Sequence, residues 1–304
     1  MASTLTSLRD TFQVARFHVV TAARTKSLLF AFAVYMVSAT AIAWIFRGII
    51  HSLENNAADL LRVPRTKTPG AMIDTLREQG DLADTVKALV PDPAVLDWAL
   101  ELPVLTIAHF WMALGLMPFL AAAAGAEVIA PGIKDRSLRF ELVRTGRLEL
   151  VMGRLLGAGM IVGLGTVLSV IGPWVVAVFF MAKQPALEQM STLLMVTPRL
   201  LAFSLPFLGL GVASSQLTGN TNFARTLALG SIVGSWMLWG FLQTDWIADH
   251  VPVLADILTP LVPQNYIVGL WGAGTGWMLA SAILCGLTVA FALAVFPLFQ
   301  RRNL

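Results

Sequence analysis

From Leu28 to Phe46 the chain reads LLFAFAVYMVSATAIAWIF, nineteen residues without one acid or base. Crossing roughly 30 Å of hydrocarbon takes about 20 apolar residues in a helix. Five further runs meet that condition, at about Val104 to Ala126, Leu155 to Ala182, Leu193 to Ser215, Thr226 to Gln243 and Trp277 to Phe299. Lipid offers no hydrogen bonds, so each run is expected to close its own backbone bonds as a helix. The alternating pattern of barrel strands is absent. Only 13% of the chain is charged, against about 25% in soluble domains. The sequence therefore predicts one all-α integral membrane domain over residues 1–304, with six transmembrane helices. No small-residue cleavage site follows the first run, which is expected to stay as an anchor. The single cysteine, Cys285, excludes an intrachain disulfide.

Lysine and arginine set the expected orientation. If the six runs alternate, one side receives Arg9, Arg16, Arg24, Lys26, Lys134, Arg136, Arg139, Arg144, Arg147, Arg154, Arg225, Arg301 and Arg302. The other receives eight, six of them in one long loop where the positive-inside rule is weak. Both termini are expected in the cytoplasm, in a multi-pass protein of the inner membrane. The same loops account for the basic balance, so a net charge of +3 gives no reason to expect nucleic acid.

The segments between runs carry the remaining information. Residues 5–25 put Leu5, Leu8, Phe12, Ala15, Val19 and Ala22 at helical spacing, with Arg9, Arg16 and Arg24 among the polar positions. An interfacial helix along the inner membrane face fits this pattern, with Leu8, Phe12 and Arg16 as its contacts; an ordinary cytoplasmic helix fits it too. Residues 47–103 form an extracytoplasmic insertion, too long for a plain connection. AMIDTLREQG and DLADTVKALVPDP read there as two short helices. The insertion caps the outer mouth, docks an extracytoplasmic partner, or is a small subdomain with neither role. Residues 245–276 are too apolar for a free loop and too broken by Pro252, Pro260 and Pro263 for a span, so short helices at the outer interface are expected. Charge at span ends marks Glu127, Arg154 and Arg199 as candidate membrane-boundary residues, with Arg199 and Glu127 snorkelling. His109, inside the second run, reads as a packing residue.

Ten charged side chains lie between Glu127 and Arg154. This connector, residues 133–150, cannot sit in lipid. From Ser137 it reads as a helix with Leu138, Leu142 and Val143 on one face; Gly146 interrupts it and Arg147 opens the next helix. An apolar stripe with a charged rim has the composition of a docking surface. A loop that only fixes topology is the alternative.

The stretch DRSLRFELVRTGRLELVMGRLLG resembles the cytoplasmic segment of type-2 (ABC-2) permeases of ATP-binding-cassette transporters. The matching positions are Asp135 and Arg136, Ser137 and Leu138, Leu142 and Val143, Arg147, and Gly153 with Arg154. The family's Gly-Thr and proline are missing, with Ser137 and then Thr145 and Gly146 standing there. The resemblance implies an elbow helix at the N-terminus and a coupling helix in the connector, with Asp135, Arg136, Leu138, Leu142, Arg144 and Arg147 as ATPase-coupling residues. It also implies two ATPase subunits, which bind ATP and magnesium, and a second permease copy, a homodimer being the simpler arrangement. The chain has no G-x-x-x-x-G-K-[ST] to cradle phosphate, so no cofactor is expected in this chain. No catalytic residue and no metal site are expected either.

Three functions stay open on the sequence. The first is an exporter permease, whose thin set of span hydroxyls fits an amphipathic or lipid-like cargo. The second is a permease-like module passing ATPase motion to an outer partner. The third is a six-span intramembrane enzyme, which would need a G-x-S-x-G-like serine; the nearest candidate, GVASSQ, lacks the motif.

Overall fold

The computed structural model describes residues 2–23, 26–62, 64–71, 98, 102–181, 185–272 and 274–302. Among them there is no strand, and every regular element is helical. The two helices expected at AMIDTLREQG and DLADTVKALVPDP lie outside the described residues, apart from Ala71.

Helix α1 (Ala2–Ala23) leads into α2 (Lys26–Leu61). At 1.5 Å per residue the 36 residues of α2 reach about 54 Å, well past the hydrocarbon. The first fifteen residues of the expected insertion are thus a continuation of the first span. The helix stops where Arg62 turns left-handed, with φ 56°. The following stretch folds back, and the Gly70 amide donates to the buried Glu54 carboxylate at 2.9 Å. Gly70 has φ 94°, a conformation open to glycine alone at low cost.

Helix α3 (Val104–Ala126) has the bounds read from the sequence, and Pro118 sits inside it without ending it. Two single-turn helices follow in the connector, α4 (Ala130–Lys134) and α5 (Leu138–Leu142). Between them Arg136 takes φ 58°, which reverses the chain. Helix α6 (Arg147–Ser169) starts at the expected Arg147, after an extended Gly146. It breaks at Val170, three residues before Pro173, and resumes as α7 (Ile171–Phe180). Pro173 has no N–H to donate four residues back, which accounts for a break there.

Helix α8 (Ala186–Leu217) is the axis of the molecule. Two thirds of its most apolar stretch is buried, against 22% for α2. It runs parallel to α3: Thr106 meets Gln189 and Thr192 where both helices begin, and Gly125 meets Leu208, Gly211 and Val212 near where both end. Glycines permit that approach, since a Cβ on Gly211 would lie 2.3 Å from the Ala122 carbonyl oxygen.

Helix α9 (Thr221–Leu242) begins at Asn220, whose side-chain oxygen accepts from the Asn222 and Phe223 amides. Short helices α10 (Asp245–His250) and α11 (Pro252–Leu258) follow, then two tight turns and α12 (Ile267–Trp271). The chain ends with α13 (Gly276–Ala294) and α14 (Phe296–Gln300).

Among the described residues five helical stretches are long and apolar enough to cross a membrane: Phe32–Asn56, Val104–Lys134, Arg147–Phe180, Ala186–Leu217 and Gly276–Gln300. A sixth by the same measure is the pair Pro252–Leu261 and Pro263–Trp271, bent by 75°. The expected fifth span is α9. It is long enough, yet less apolar than those five, because Arg225, Ser231 and Ser235 dilute it. Large apolar side chains such as Val37, Leu164, Phe179, Met237 and Leu279 are exposed around the bundle, as lipid contact requires.

Candidate functional site

The alternation of helices gives the bundle two chemically different ends. One gathers α1, the connector, the close of α8, the start of α9 and α14. Among the described residues it holds most of the charge, and it is called here the charged end. The other gathers Arg47, the start of α8 and the elements from α10 to α12, and is rich in tryptophan.

At the charged end the connector is tied down from both sides. Arg154 donates to the Glu141 carboxylate at 2.6 Å and to the Val128 carbonyl. Its side chain is mostly buried, so this is a charge-assisted bond with little water to compete for it. Leu138 is fully buried and packs over Gly132, while Leu142 is half-buried against the core. The expected stripe of Leu138, Leu142 and Val143 is therefore split. Two of its members face this bundle. The bare apolar side chains are Phe140 and Val143, 79% and 85% exposed. Arg136, Arg139 and Arg144 are exposed around them, as are Asp135 and Lys134.

Arg147, expected in the docking set, turns inward. Its guanidinium donates to the Phe299 carbonyl at 2.6 Å, the Gln300 carbonyl at 2.5 Å and the Arg302 carbonyl at 3.1 Å. No sequence signal marks this, because backbone acceptors leave no trace in residue type. Glu127, a candidate boundary charge, pairs with Arg225 at 2.5 Å, and both remain about half-exposed.

Helix α1 runs beside the first turns of α6. Ser7 donates to Glu149 at 2.8 Å, Thr11 and Val14 lie against Gly153, and Ala15 and His18 against Gly157. Ala15 is buried, whereas Leu8 and Phe12 are each 58% exposed. Leu8, Phe12 and Arg16 are exposed on one side of the helix, and Ala15 belongs to the opposite, inward side. The Gly153–Gly157 pair serves a contact within the chain. Burial, and then the nearby Arg154 charge, push the His18 pKa down from 6.5 to about 4.

At the tryptophan-rich end Arg199 is almost fully buried, correcting the expectation that it snorkels to water. It donates to the Leu270 carbonyl at 3.0 Å. Its guanidinium carbon lies 4.2 Å from the Trp98 ring centre and 5.3 Å from that of Trp277. Trp98, Phe110, Trp111 and Trp271 stack edge-on or tilted around it. Trp98 thereby anchors the far end of the 47–103 segment in the bundle. His109 is buried among Ala39, Ala43, Leu105 and Pro173, and neither ring nitrogen has a partner among the described residues.

Ser214 and Ser215, in GVASSQ, donate to Leu210 and Val212 of their own helix. Among the described residues no three metal-ligating side chains gather.

Residues 12–304 match the model of the family described as ABC-2 family transporter protein. No curated protein matches the chain.

Proposed function

The chain belongs to the ABC-2 family of transporter proteins, and on that basis we propose that it is the permease subunit of an ATP-binding-cassette exporter. The proposed cargo is amphipathic or lipid-like, crossing the inner membrane with both permease termini in the cytoplasm. ATP and magnesium bind to two copies of a separate ATPase subunit, and two copies of this permease complete the assembly. A family of membrane transport components leaves ATP chemistry to that partner.

The observation that carries the reading is the exposed pair Phe140 and Val143, raised on a connector whose base is fixed by Leu138 and the Glu141–Arg154 bond. Two bare apolar side chains ringed by arginine fit a partner cleft that is apolar within and acidic at its rim. Closure of an ATPase dimer on ATP would then move the connector and shift the bundle between inward- and outward-facing states.

The test is co-purification with the ATPase encoded beside it. Phe140→Asp is expected to lower retention of that ATPase at least about tenfold, the cost of burying an unpaired charge in an apolar cleft. Folding should be unaffected, since the side chain touches little of its own bundle. Unchanged retention in both Phe140→Asp and Val143→Asp would remove the docking role.

A second reading has its own support. Helix α2 extends well past the hydrocarbon, and Trp98 pins the far end of the outer segment. Such a projection fits a module that passes ATPase motion to an extracytoplasmic partner. Deleting residues 64–95 separates the two readings: an exporter keeps transporting and a transmitter stops.

A further inference from the structure

Arg147 is the first residue of α6, at the junction where the connector becomes a span. Its three acceptors, Phe299, Gln300 and Arg302, belong to the last turn of the chain. A helix leaves its final carbonyls without intrahelical partners, and the helix dipole gathers partial negative charge there. One planar guanidinium meets both needs, and it also lies over the buried Phe299 ring at 5.7 Å. A second tie runs onward from the same turn. Arg302 donates to the Gln216 carbonyl at 3.3 Å, and the Gln216 side chain donates to the Ala292 carbonyl at 2.7 Å. The junction, the end of the last span and the end of the axial helix α8 are thus joined by donor–acceptor links.

The geometry points to a role for Arg147 as a positioning residue: it makes the end of the last span travel with the connector. The transmission rests on the docking reading above, whereas the clamp is a property of the permease alone. Motion entering at Phe140 passes through Arg147 to α14 and α13, and through Arg302 and Gln216 to α8. Without the clamp, α6 would take up the displacement and the last span would lag behind.

The full chain, with Cys285 replaced by serine, is labelled with nitroxides at Ser137→Cys and Leu298→Cys, both exposed positions. Pulsed dipolar spectroscopy in nanodiscs then reads their separation. The wild-type background should give a narrow distribution, and Arg147→Gln should broaden it on the order of 5 Å, about one helical turn. Arg147→Lys keeps the charge but concentrates it in one compact ammonium, so its distribution should fall between the two. Should Arg147→Gln fail to insert, the lysine variant carries the measurement. An unbroadened distribution in whichever variant folds overturns the clamp.

With the ATPase subunit bound, Arg147→Gln should retain that subunit yet lose about tenfold of the coupling between ATPase and transport. Retention with full coupling overturns the transmission. An ATPase subunit that never binds the wild-type permease sinks the docking reading instead and leaves the distance result to decide the clamp.

Discussion

Each end of the bundle places an arginine on the carbonyls of a short helix, and the two do it differently. Arg147 has three carbonyl acceptors in a partly hydrated setting, with other ties close by. Arg199 has one carbonyl and two indole faces, and its Nε has no partner among the described residues. Hydrogen bonds that water can replace are broken and remade at a net cost of about 1 kcal/mol each. A buried guanidinium wedged between rings has no substitute if the rings part. The difference teaches which end can rearrange: the charged end is built to move, and the tryptophan-rich end to hold.

The largest effect tests the frame shared by both ends. Gly211→Val would drive a side chain into the backbone of Ala122 and Ala126. Backbone cannot step aside as a flexible side chain can, so α3 and α8 would have to separate. A loss above about 4 kcal/mol is expected, seen as aggregation on size-exclusion in detergent. A monodisperse Gly211→Val protein would mean that the axis itself yields, and the contrast between ends would lose its basis. Gly230→Val, at a position with nothing within 4 Å, is the matched control.

The direct comparison ranks next. Arg199→Ala leaves the Leu270 carbonyl unpaired and opens a void between Trp98 and Trp277, a loss of about 3 kcal/mol. Arg147→Ala frees three carbonyls that water can reach, and about 1–2 kcal/mol is expected. Thermal unfolding in one detergent should therefore show the larger drop for Arg199→Ala. The reverse order would invert the assignment of holding and moving ends.

What could be read from the sequence follows the reach of each signal. The second apolar run coincides with helix α3, and the interruption at Gly146 put the start of the next helix at Arg147, because run length and a glycine break are local properties. The overhang of α2 escaped, since a helix continuing into water keeps its bonds without an apolar run. In α1 the spacing suggested one apolar face, yet large residues point outward while Ala15 packs inward on glycines of α6. Small residues carry little hydropathy, so the face that docks looked weaker than the one left free. The connector failed for a related reason. A helix of one turn cannot hold a stripe, and Leu138 and Phe140, two residues apart, fall on opposite sides of it. The roles of Arg147 and Arg199 depend on carbonyls 152 and 71 residues away.

The smallest effect sharpens the comparison from the moving side. His18 sits between α1 and α6, with Arg154 as the nearest like charge and Glu149 engaged by Ser7. Its pKa is about 4 when α1 is docked and 6.5 when it is free. The undocked form therefore binds a proton first as pH falls, and protonation pulls the equilibrium towards it. Docking is at full strength above pH 6.5, weakens down to about 4 and loses nothing further from this group below that. At pH 5.5 the loss is on the order of 1 kcal/mol. Hydrogen exchange over residues 8–23 should be faster at pH 5.5 than at 7.5, after correction for intrinsic rates. His18→Gln should abolish that difference. Equal protection at both pH values in the wild-type chain would show that α1 does not open at this face, and the most mobile part of the charged end would lie elsewhere.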